Sequence, residues 1–353
     1  MSKKKKLIRI ISTFIIFAVV FMLIQRLLMP KYVDDVVEGN LIKEYYQEEN
    51  KDYDVIFIGD CEVYENFSPV KLWTEYGINS YIRGSAEQYI WQAYYLLEDT
   101  LRYHKPQVVV FNIQSLQFNE SQSEAYNRMT LDGMKWSMSK VNAINASMKE
   151  NEHFIEYVFP LLRYHSRWSE LSSDDIKYMF NKPKVTSNGY LMQVGVRPVT
   201  TVPKVSPLAN YTFSDRNYEY LDKIKDLCNE KGIKLVLIKA PSIFPHWYDE
   251  WESQIQDYAN ENNLLYLNMV DKADEIGLDY TTDTFDYGQH LNVDGAEKTA
   301  VYLGNILKDQ YRLTDHRGES ETASQWNKIV SDYNSLKTKK QEAWNNSLNG
   351  GLQ

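Results

Sequence analysis

The chain contains the stretch Asp54-Val-Ile-Phe-Ile-Gly-Asp-Cys-Glu-Val-Tyr-Glu-Asn-Phe-Ser-Pro69, in which an apolar run passes directly into a polar turn. Residues 55–58 are continuous, apolar and rich in β-branched side chains, which predicts a strand buried on both faces. Gly59 and Asp60 break this strand and place Cys61 just past its carboxyl end. In open α/β sheets this edge is where ligands and reactive groups gather. The stretch therefore predicts a parallel strand that presents Cys61 as a candidate reactive group.

Four further apolar runs have the length and composition of buried strands, at residues 78–82, 108–111, 234–238 and 264–267. Between them lie segments with helical spacing, at residues 69–76, 88–103, 215–230 and 247–262, and a last one at 294–310. Strands that alternate with helices indicate βαβ crossovers and one parallel sheet. We therefore expect an α/β domain over residues 54–312.

The alternation stops between residues 117 and 217, where the sequence predicts two amphipathic helices, at 129–148 and 152–162. This segment is too long for a linker, and we interpret it as a helical insertion beside the rim of the site. Residues 313–353 are polar, with apolar residues at helical spacing from Trp326 to Leu336. That pattern predicts one amphipathic helix and a tail, with docking on the domain favoured over a partner protein or the membrane surface.

Residues 1–30 have a different composition from the rest of the chain. Four lysines at 3–6 precede an apolar run at 7–24 in which Arg9 is the only charge. The apolar length approaches the ~20 residues that span a bilayer. Because no small-residue cleavage site follows, an uncleaved anchor is favoured over a removed signal peptide. Lysines stay on the cytoplasmic side, so we expect a single-pass cell-membrane protein with a stalk at 31–53 and an extracellular domain.

Charge and composition exclude some classes of function. The formal net charge of −9 argues against a nucleic-acid partner. The 6 histidines lack the spacing of metal ligands, so no metal or other cofactor is expected. Cys228 belongs to a helix that precedes its strand, whereas Cys61 follows its own strand. The two cysteines should lie at opposite rims of the sheet, too far apart for a disulfide.

A second polar block occurs late in the chain, as Asp283-Thr-Phe-Asp-Tyr-Gly-Gln-His-Leu-Asn-Val-Asp-Gly-Ala-Glu-Lys298. Together with Ile58-Gly-Asp-Cys61, this block resembles the SGNH/GDSL hydrolase superfamily, and in particular its membrane-anchored extracytoplasmic members of the DltD and alginate-acetylation type. Two departures stand out. Cys61 occupies the position of the family's serine nucleophile, and Asp286 lies four residues before His290 where the family has three.

The resemblance implies a three-layer, flavodoxin-like fold with a central parallel sheet. It implies a catalytic triad of Cys61, His290 and Asp286, with Asp283 as the fallback acid. It also assigns the oxyanion donors to the backbone after the strand turn and to Gly84, with Asn112 as an additional candidate.

The activity implied by the resemblance is acyl transfer or ester hydrolysis on cell-envelope glycopolymers. The partners would be a glycan or an acylated carrier, and a membrane-bound O-acyltransferase. Two alternatives remain open at the level of sequence. One is a non-catalytic scaffold or glycan-binding partner of such an acyltransferase, and the other is a lipase or thioesterase. An exposed, reactive thiol would favour the glycopolymer acyltransferase or esterase over the scaffold. A wide polar, aromatic-lined groove would favour it over the lipase or thioesterase.

Overall fold

The computed structural model describes residues 3–30, 32–33, 36–37, 40–49, 52–180, 184–202 and 204–350. Its centre is one parallel sheet of five strands, which are β3 Val55–Gly59, β4 Ser80–Gly84, β5 Val108–Asn112, β6 Lys234–Lys239 and β7 Leu265–Asn268. The strand order is β4-β3-β5-β6-β7, and every neighbouring pair is parallel. The predicted α/β fold with a central parallel sheet is confirmed. A separate short antiparallel pair joins β1 Tyr32–Val33 to β2 Val36–Val37.

Helices surround the sheet. Their bounds are α1 Lys3–Leu28, α2 Asn40–Glu44, α3 Cys61–Asn66, α4 Pro69–Tyr76, α5 Ile90–Thr100, α6 Glu124–Leu131, α7 Met138–Ser147, α8 Phe154–Val158, α9 Leu161–Tyr164, α10 Ser173–Phe180, α11 Asp215–Lys231, α12 Asp249–Glu261, α13 Ala273–Ile276, α14 Val293–Tyr311 and α15 Ser320–Gly350.

The alternation of side chains along the strands explains the two helical layers. Val55 and Phe57 of β3 face α4 and α14, whereas Ile56 and Ile58 face α5, α11 and α12. All five residues of β3 are buried, as a strand covered on both faces requires. Cys228 lies in the second layer, fully buried and free, so the expectation of no disulfide with Cys61 is met.

The order of the strands positions the site. A doubly wound sheet of this order has its topological switch point between its first and third strands, here β3 and β5. The carboxyl ends of these strands carry Gly59 and Asn112, which lie directly across from each other beside Cys61. The fold thus places Cys61 at the crevice where such sheets bind ligands.

The insertion is helical, but its helices are shorter than predicted. The segment expected at 129–148 is two helices, because α6 ends at Leu131 and Ser137 caps a new helix by accepting a hydrogen bond from the backbone of Lys140. The segment expected at 152–162 is also divided, since Pro160 cannot continue α8 and α9 starts after it. The hydrophobic periodicity of the sequence continues across both helix breaks, so the sequence did not predict them.

The segment predicted as a stalk, 31–53, is partly core. Leu41, Ile42 and Tyr45 are buried, and the Glu44 carboxylate accepts hydrogen bonds from the backbone of Val185 and Thr186. Residues 41, 42, 44 and 45 are therefore part of the core of the domain, whereas the sequence predicted a separate stalk here. Residues 31, 34–35, 38–39 and 50–51 of this segment lie outside the described residues.

Helix α1 has 26 residues and is apolar and long enough to span a membrane. Between residues 7 and 24 its exposed surface is formed mainly by large apolar side chains.

The C-terminal helix α15 docks on the domain next to α4. Trp326 stacks on Trp73 with ring centroids 5.0 Å apart, and its indole nitrogen donates to Oδ1 of Asn79 at 3.0 Å. Tyr333 is buried farther along the helix and donates to Glu297 at 2.9 Å. Docking on its own domain, the outcome favoured by the sequence, is what the structure shows.

We expect Trp326→Ala to lower the free energy of unfolding by about 3–5 kcal/mol, because it removes a buried indole and leaves a cavity against Trp73. Urea unfolding of the full chain in detergent micelles measures the change. Lys328→Ala, at an exposed position of the same helix, is the matched control and should change stability by less than about 0.5 kcal/mol. Equal stabilities of the two variants would contradict the docking of α15.

Candidate active site

The turn between β3 and α3 delivers Cys61 to the edge of the sheet. Gly59 has φ +153°, and a Cβ there would come within 2.9 Å of the Cβ of Asn112. Glycine is therefore required both by the backbone and by the close approach of β5. Asp60 is the N-cap of α3, where its Oδ1 accepts from the backbone N–H of Glu62 at 3.2 Å. Cys61 is consequently the first residue of a helix whose start is fixed.

A buried cluster of polar side chains stabilises the turn between β3 and α3. The amide of Asn112 donates to Oδ1 of Asp60 at 3.0 Å and to Oε2 of Glu62 at 2.9 Å, and Lys239 pairs with Glu62 at 3.1 Å. Burial, and then the charge of Glu62, raise the pKa of Asp60 to about 7. The cluster joins α3 to the ends of β5 and β6, so the position of Cys61 depends on the register of these strands.

The oxyanion roles expected for Gly84 and Asn112 do not match their positions. Both amide hydrogens of Asn112 are donated within the cluster, its Oδ1 accepts from the backbone of Ala240, and the residue is fully buried. Gly84 lies beside Gly59 on the neighbouring strand and packs against α3, where a Cβ would come within 2.7 Å of Val63. Among the described residues the pocket at Cys61 is lined by Ala86 and Glu87, which follow Gly84 in the chain, and not by Gly84 or Asn112.

His290 is oriented by Asp286 in two ways. The ring Nδ1 lies 2.6 Å from Oδ2 of Asp286, and Oδ1 of the same carboxylate accepts from the backbone N–H of His290 at 2.7 Å. The chain between them turns through Tyr287 and Gly288, both at positive φ. This tight turn explains how a carboxylate four residues earlier reaches the ring.

The fallback acid Asp283 does not contact His290. Its Oδ2 accepts from the backbone of Asp279 at 2.8 Å and from Lys298 at 2.7 Å. Asp283 therefore stabilises the loop before α14, and Asp286 is the aspartate that faces the ring.

A second carboxylate, Glu65, lies at the same ring nitrogen and was not predicted. Its Oε2 is 3.2 Å from Nδ1 of His290, and its Oε1 accepts from Gln193 at 2.7 Å. Glu65 follows Cys61 by four residues in α3, so the two side chains share one helical face. The four-residue spacing from Cys61 was the feature of the sequence from which Glu65 could have been predicted as a site residue.

The thiol of Cys61 and the ring of His290 line the same pocket and are close enough for each to shift the pKa of the other. Nδ1 faces the two carboxylates, so Nε2 is the ring nitrogen left for the thiol. Burial raises the pKa of Cys61 to about 11, although the charge of His290 opposes this. Burial acts to lower the pKa of His290, but Cys61, Glu65 and Asp286 together raise it well above its usual value. One proton must therefore leave the pair before the thiol becomes a nucleophile near neutral pH.

These side chains line a pocket of about 400 Å³. Its wall is mixed, with aromatic, apolar and polar side chains contributed by Tyr64, Tyr126, Met129, Leu191, Gln193, Phe285 and Gln289. Tyr126 and Met129 belong to α6, so the insertion forms part of the pocket, as its predicted place at the rim requires. Within the described ranges no group of three or more His, Cys, Asp and Glu side chains is arranged to hold a metal ion. The arrangement defines an α/β protein with a thiol–imidazole–carboxylate pocket at its switch point.

Comparisons with known proteins give only distant likenesses. No family model matches the chain, and no curated protein does. Among solved structures, a candidate acylhydrolase from Bacteroides fragilis NCTC 9343 is 12% identical with a TM-score of 0.39, over 78% of this chain and 98% of its own. A GDSL-like lipase from Bacteroides thetaiotaomicron VPI-5482 is 12% identical with a TM-score of 0.37, over 77% and 99%. The site is therefore interpreted from its own geometry.

We expect Glu65→Gln to lower the pKa of His290, because one of the two carboxylates that stabilise the imidazolium is lost. A ¹³C-histidine NMR titration of the full chain measures this pKa. Glu87→Gln is the matched control, since Glu87 lines the same pocket but hydrogen-bonds Tyr89. A pKa of His290 that is insensitive to Glu65→Gln, or that moves equally with Glu87→Gln, would refute the role of Glu65.

Proposed function

We propose that the chain is an SGNH-type acyl-transfer enzyme, with Cys61 as nucleophile, His290 as general base and Asp286 as the acid that orients the ring. The observation that carries this proposal is that these three residues, which come from opposite ends of the chain, line one pocket, with His290 bonded to Asp286. Such a set matches the requirements of nucleophilic catalysis, in which a base adjoins the nucleophile and a third group orients the base.

In the proposed reaction the Cys61 sulfur attacks the carbonyl carbon of an acyl ester while the thiol proton passes to Nε2 of His290. The tetrahedral intermediate collapses, the ester C–O bond breaks, and His290 returns the proton to the leaving alcohol. A thioester on Cys61 remains. Water or a sugar hydroxyl then attacks this thioester, gives its proton to His290, and releases the acid or the new ester as the thiol is reprotonated.

The oxyanion of each intermediate needs preorganised donors. The backbone N–H of Cys61 is one proposed donor, because it lies at the start of α3 next to the sulfur. The second is proposed to come from the backbone of the loop at Ala86 and Glu87, which lines the pocket where Gly84 was expected to act.

We further propose that the substrate is an O-acylated, or O-acyl-accepting, cell-envelope glycopolymer outside the cell. Tyr64, Tyr126 and Phe285 give the pocket aromatic surfaces, and Gln193 and Gln289 add polar groups. Aromatic faces with nearby hydrogen-bonding groups suit a sugar better than an acyl chain, which disfavours the lipase reading. A membrane-bound O-acyltransferase is the proposed partner, since α1 would keep the domain at the membrane.

A second candidate function is a non-catalytic scaffold for such an acyltransferase. The observation that favours it is the partly buried thiol, whose raised pKa keeps little thiolate at neutral pH. The two proposals differ in whether Cys61 is needed for turnover.

We expect Cys61→Ala to reduce hydrolysis of p-nitrophenyl acetate and of an O-acetylated polysaccharide by about 10³-fold or more, because the nucleophile is lost. His290→Ala should cost about 10²–10⁴-fold through loss of the general base. Cys61→Ser should retain turnover, since a hydroxyl serves the same base and oxyanion donors. The measurement is kcat/KM of the purified full chain in detergent.

Cys228→Ala is the matched cysteine control, because Cys228 is buried in the helical layer and remote from the pocket, and it should leave turnover unchanged. Unchanged turnover in Cys61→Ala, on a substrate that the wild-type chain hydrolyses, would reject the nucleophile and favour the scaffold.

We also propose that α1 crosses the membrane with lysines 3–6 in the cytoplasm. Protease added to intact protoplasts should then digest residues beyond α1, while a tag fused before residue 1 stays protected. Permeabilisation should expose the tag. Protection of the domain until permeabilisation would reverse the proposed orientation.

A further inference from the structure

The insertion carries an exposed apolar surface next to the end of α1. We call residues 154–180 the platform, which comprises α8, α9, the 3₁₀ turn His165–Ser169 and α10. Six large apolar side chains of the platform are exposed, including Trp168 at 73% and Phe180 at 69%, and the set is Ile155, Phe159, Leu162, Trp168, Ile176 and Phe180. The surface of a soluble protein seldom exposes so many large apolar side chains within 27 residues without a binding role.

The platform contacts the last turns of α1 directly. Phe159 packs edge-on against Phe21 with centroids 5.9 Å apart, and the backbone N–H of Leu161 lies 3.5 Å from Oε1 of Gln25. Arg167 donates to the backbone carbonyl of Leu28 at 2.7 Å. These contacts fix the height of the platform relative to α1.

That height coincides with the expected membrane surface. The 26 residues of α1 extend about 39 Å at 1.5 Å per residue, against a hydrocarbon core of ~30 Å. With the lysines at 3–6 on one side, the contacts at Phe21, Gln25 and Leu28 lie near the opposite interface. Trp168 follows Arg167, which bonds Leu28 at the end of α1, and tryptophan is enriched at membrane interfaces.

We propose that the platform is a monotopic membrane-binding surface, inserted among the lipid headgroups beside α1. The proposal depends on α1 spanning the bilayer, as proposed above, and it does not depend on the catalytic role of Cys61. The platform contains four acidic and three basic (Lys and Arg) side chains. Anionic lipid is therefore not required, and burial of the apolar side chains supplies the binding energy.

The platform is linked to the pocket. Arg163 of α9 pairs with Glu124 at 2.8 Å, and Glu124 begins α6, which supplies Tyr126 to the pocket wall. A platform seated in the interface would hold this wall at a fixed distance from the bilayer, next to an acyl donor or acceptor presented at the membrane surface.

The test is carbene labelling of the full chain, reconstituted in nanodiscs of pure phosphatidylcholine, with a lipid-soluble photoactivated probe read by mass spectrometry. Label is expected both in residues 7–24 and in the platform. Tyr287 and Leu348 are the matched controls, since they are exposed at 59% and 54% but lie outside the platform, and they should remain unlabelled.

Tryptophan quenching gives a second readout. Phosphatidylcholine brominated near the headgroup should quench the wild-type chain more than lipid brominated near the chain end. Trp168→Phe should remove part of that quenching, whereas Trp247→Phe, at a partly buried indole packed on Phe213, should not.

Label confined to residues 7–24 would overturn the platform while leaving the anchor in place. Absence of label from both segments would overturn the platform and the anchor together. Platform residues that are protected from hydroxyl radicals in native membranes, but not in the pure-lipid nanodiscs, would assign the surface to a protein partner and reject the lipid.

Discussion

The structure of the site depends on the buried pair of Lys239 and Glu62. Lys239 ends β6, Glu62 lies in α3 beside Cys61, and Asn112 at the end of β5 bonds both Glu62 and Asp60. The ammonium group also donates to the carbonyls of Ala240 and Ser242, so its charge is fully hydrogen-bonded. A buried charge that loses its partner is strongly destabilising. Any shift of β6 against β5, or of α3 against β3, would break this cluster. The cluster therefore fixes the position of the Cys61 thiol.

The same short helix also positions the other half of the site. Asn66, the last residue of α3, accepts from the backbone N–H of Leu291 at 2.8 Å and donates to Ser242 at 2.8 Å. Leu291 follows His290, so one helix holds the thiol at its first residue, Glu65 one turn later and the histidine loop at its end. This arrangement explains how residues more than 200 positions apart in the chain come to line one pocket.

The sequence predicted the sheet well because each strand is a continuous apolar run, a pattern set by burial on both faces. The pairing of Cys61 with His290 came from the family resemblance of the two polar blocks that contain them. Glu65 was missed, although the four-residue spacing from Cys61 was readable, because Glu65 and His290 are distant in the chain and only the fold brings them together. The sequence predicted that Asn112 donates to the oxyanion, whereas in the structure its amide bonds Asp60 and Glu62. The hydrogen-bond partners of a buried amide depend on the tertiary fold and cannot be read from the sequence.

The electrostatics of the pocket determine how a cysteine would act there. Glu65 and Asp286 both face Nδ1 of His290, and Lys340 of α15 is near enough to Glu65 for each charge to influence the pKa of the other. Burial raises the pKa of Cys61, so the surroundings oppose a free-standing thiolate. Cysteine enzymes that act through a preformed thiolate lower this pKa with positive surroundings. Here the thiolate becomes favourable only while its proton passes to His290, whose protonated ring is stabilised by two carboxylates. A hydroxyl nucleophile is activated by the same proton transfer to a histidine.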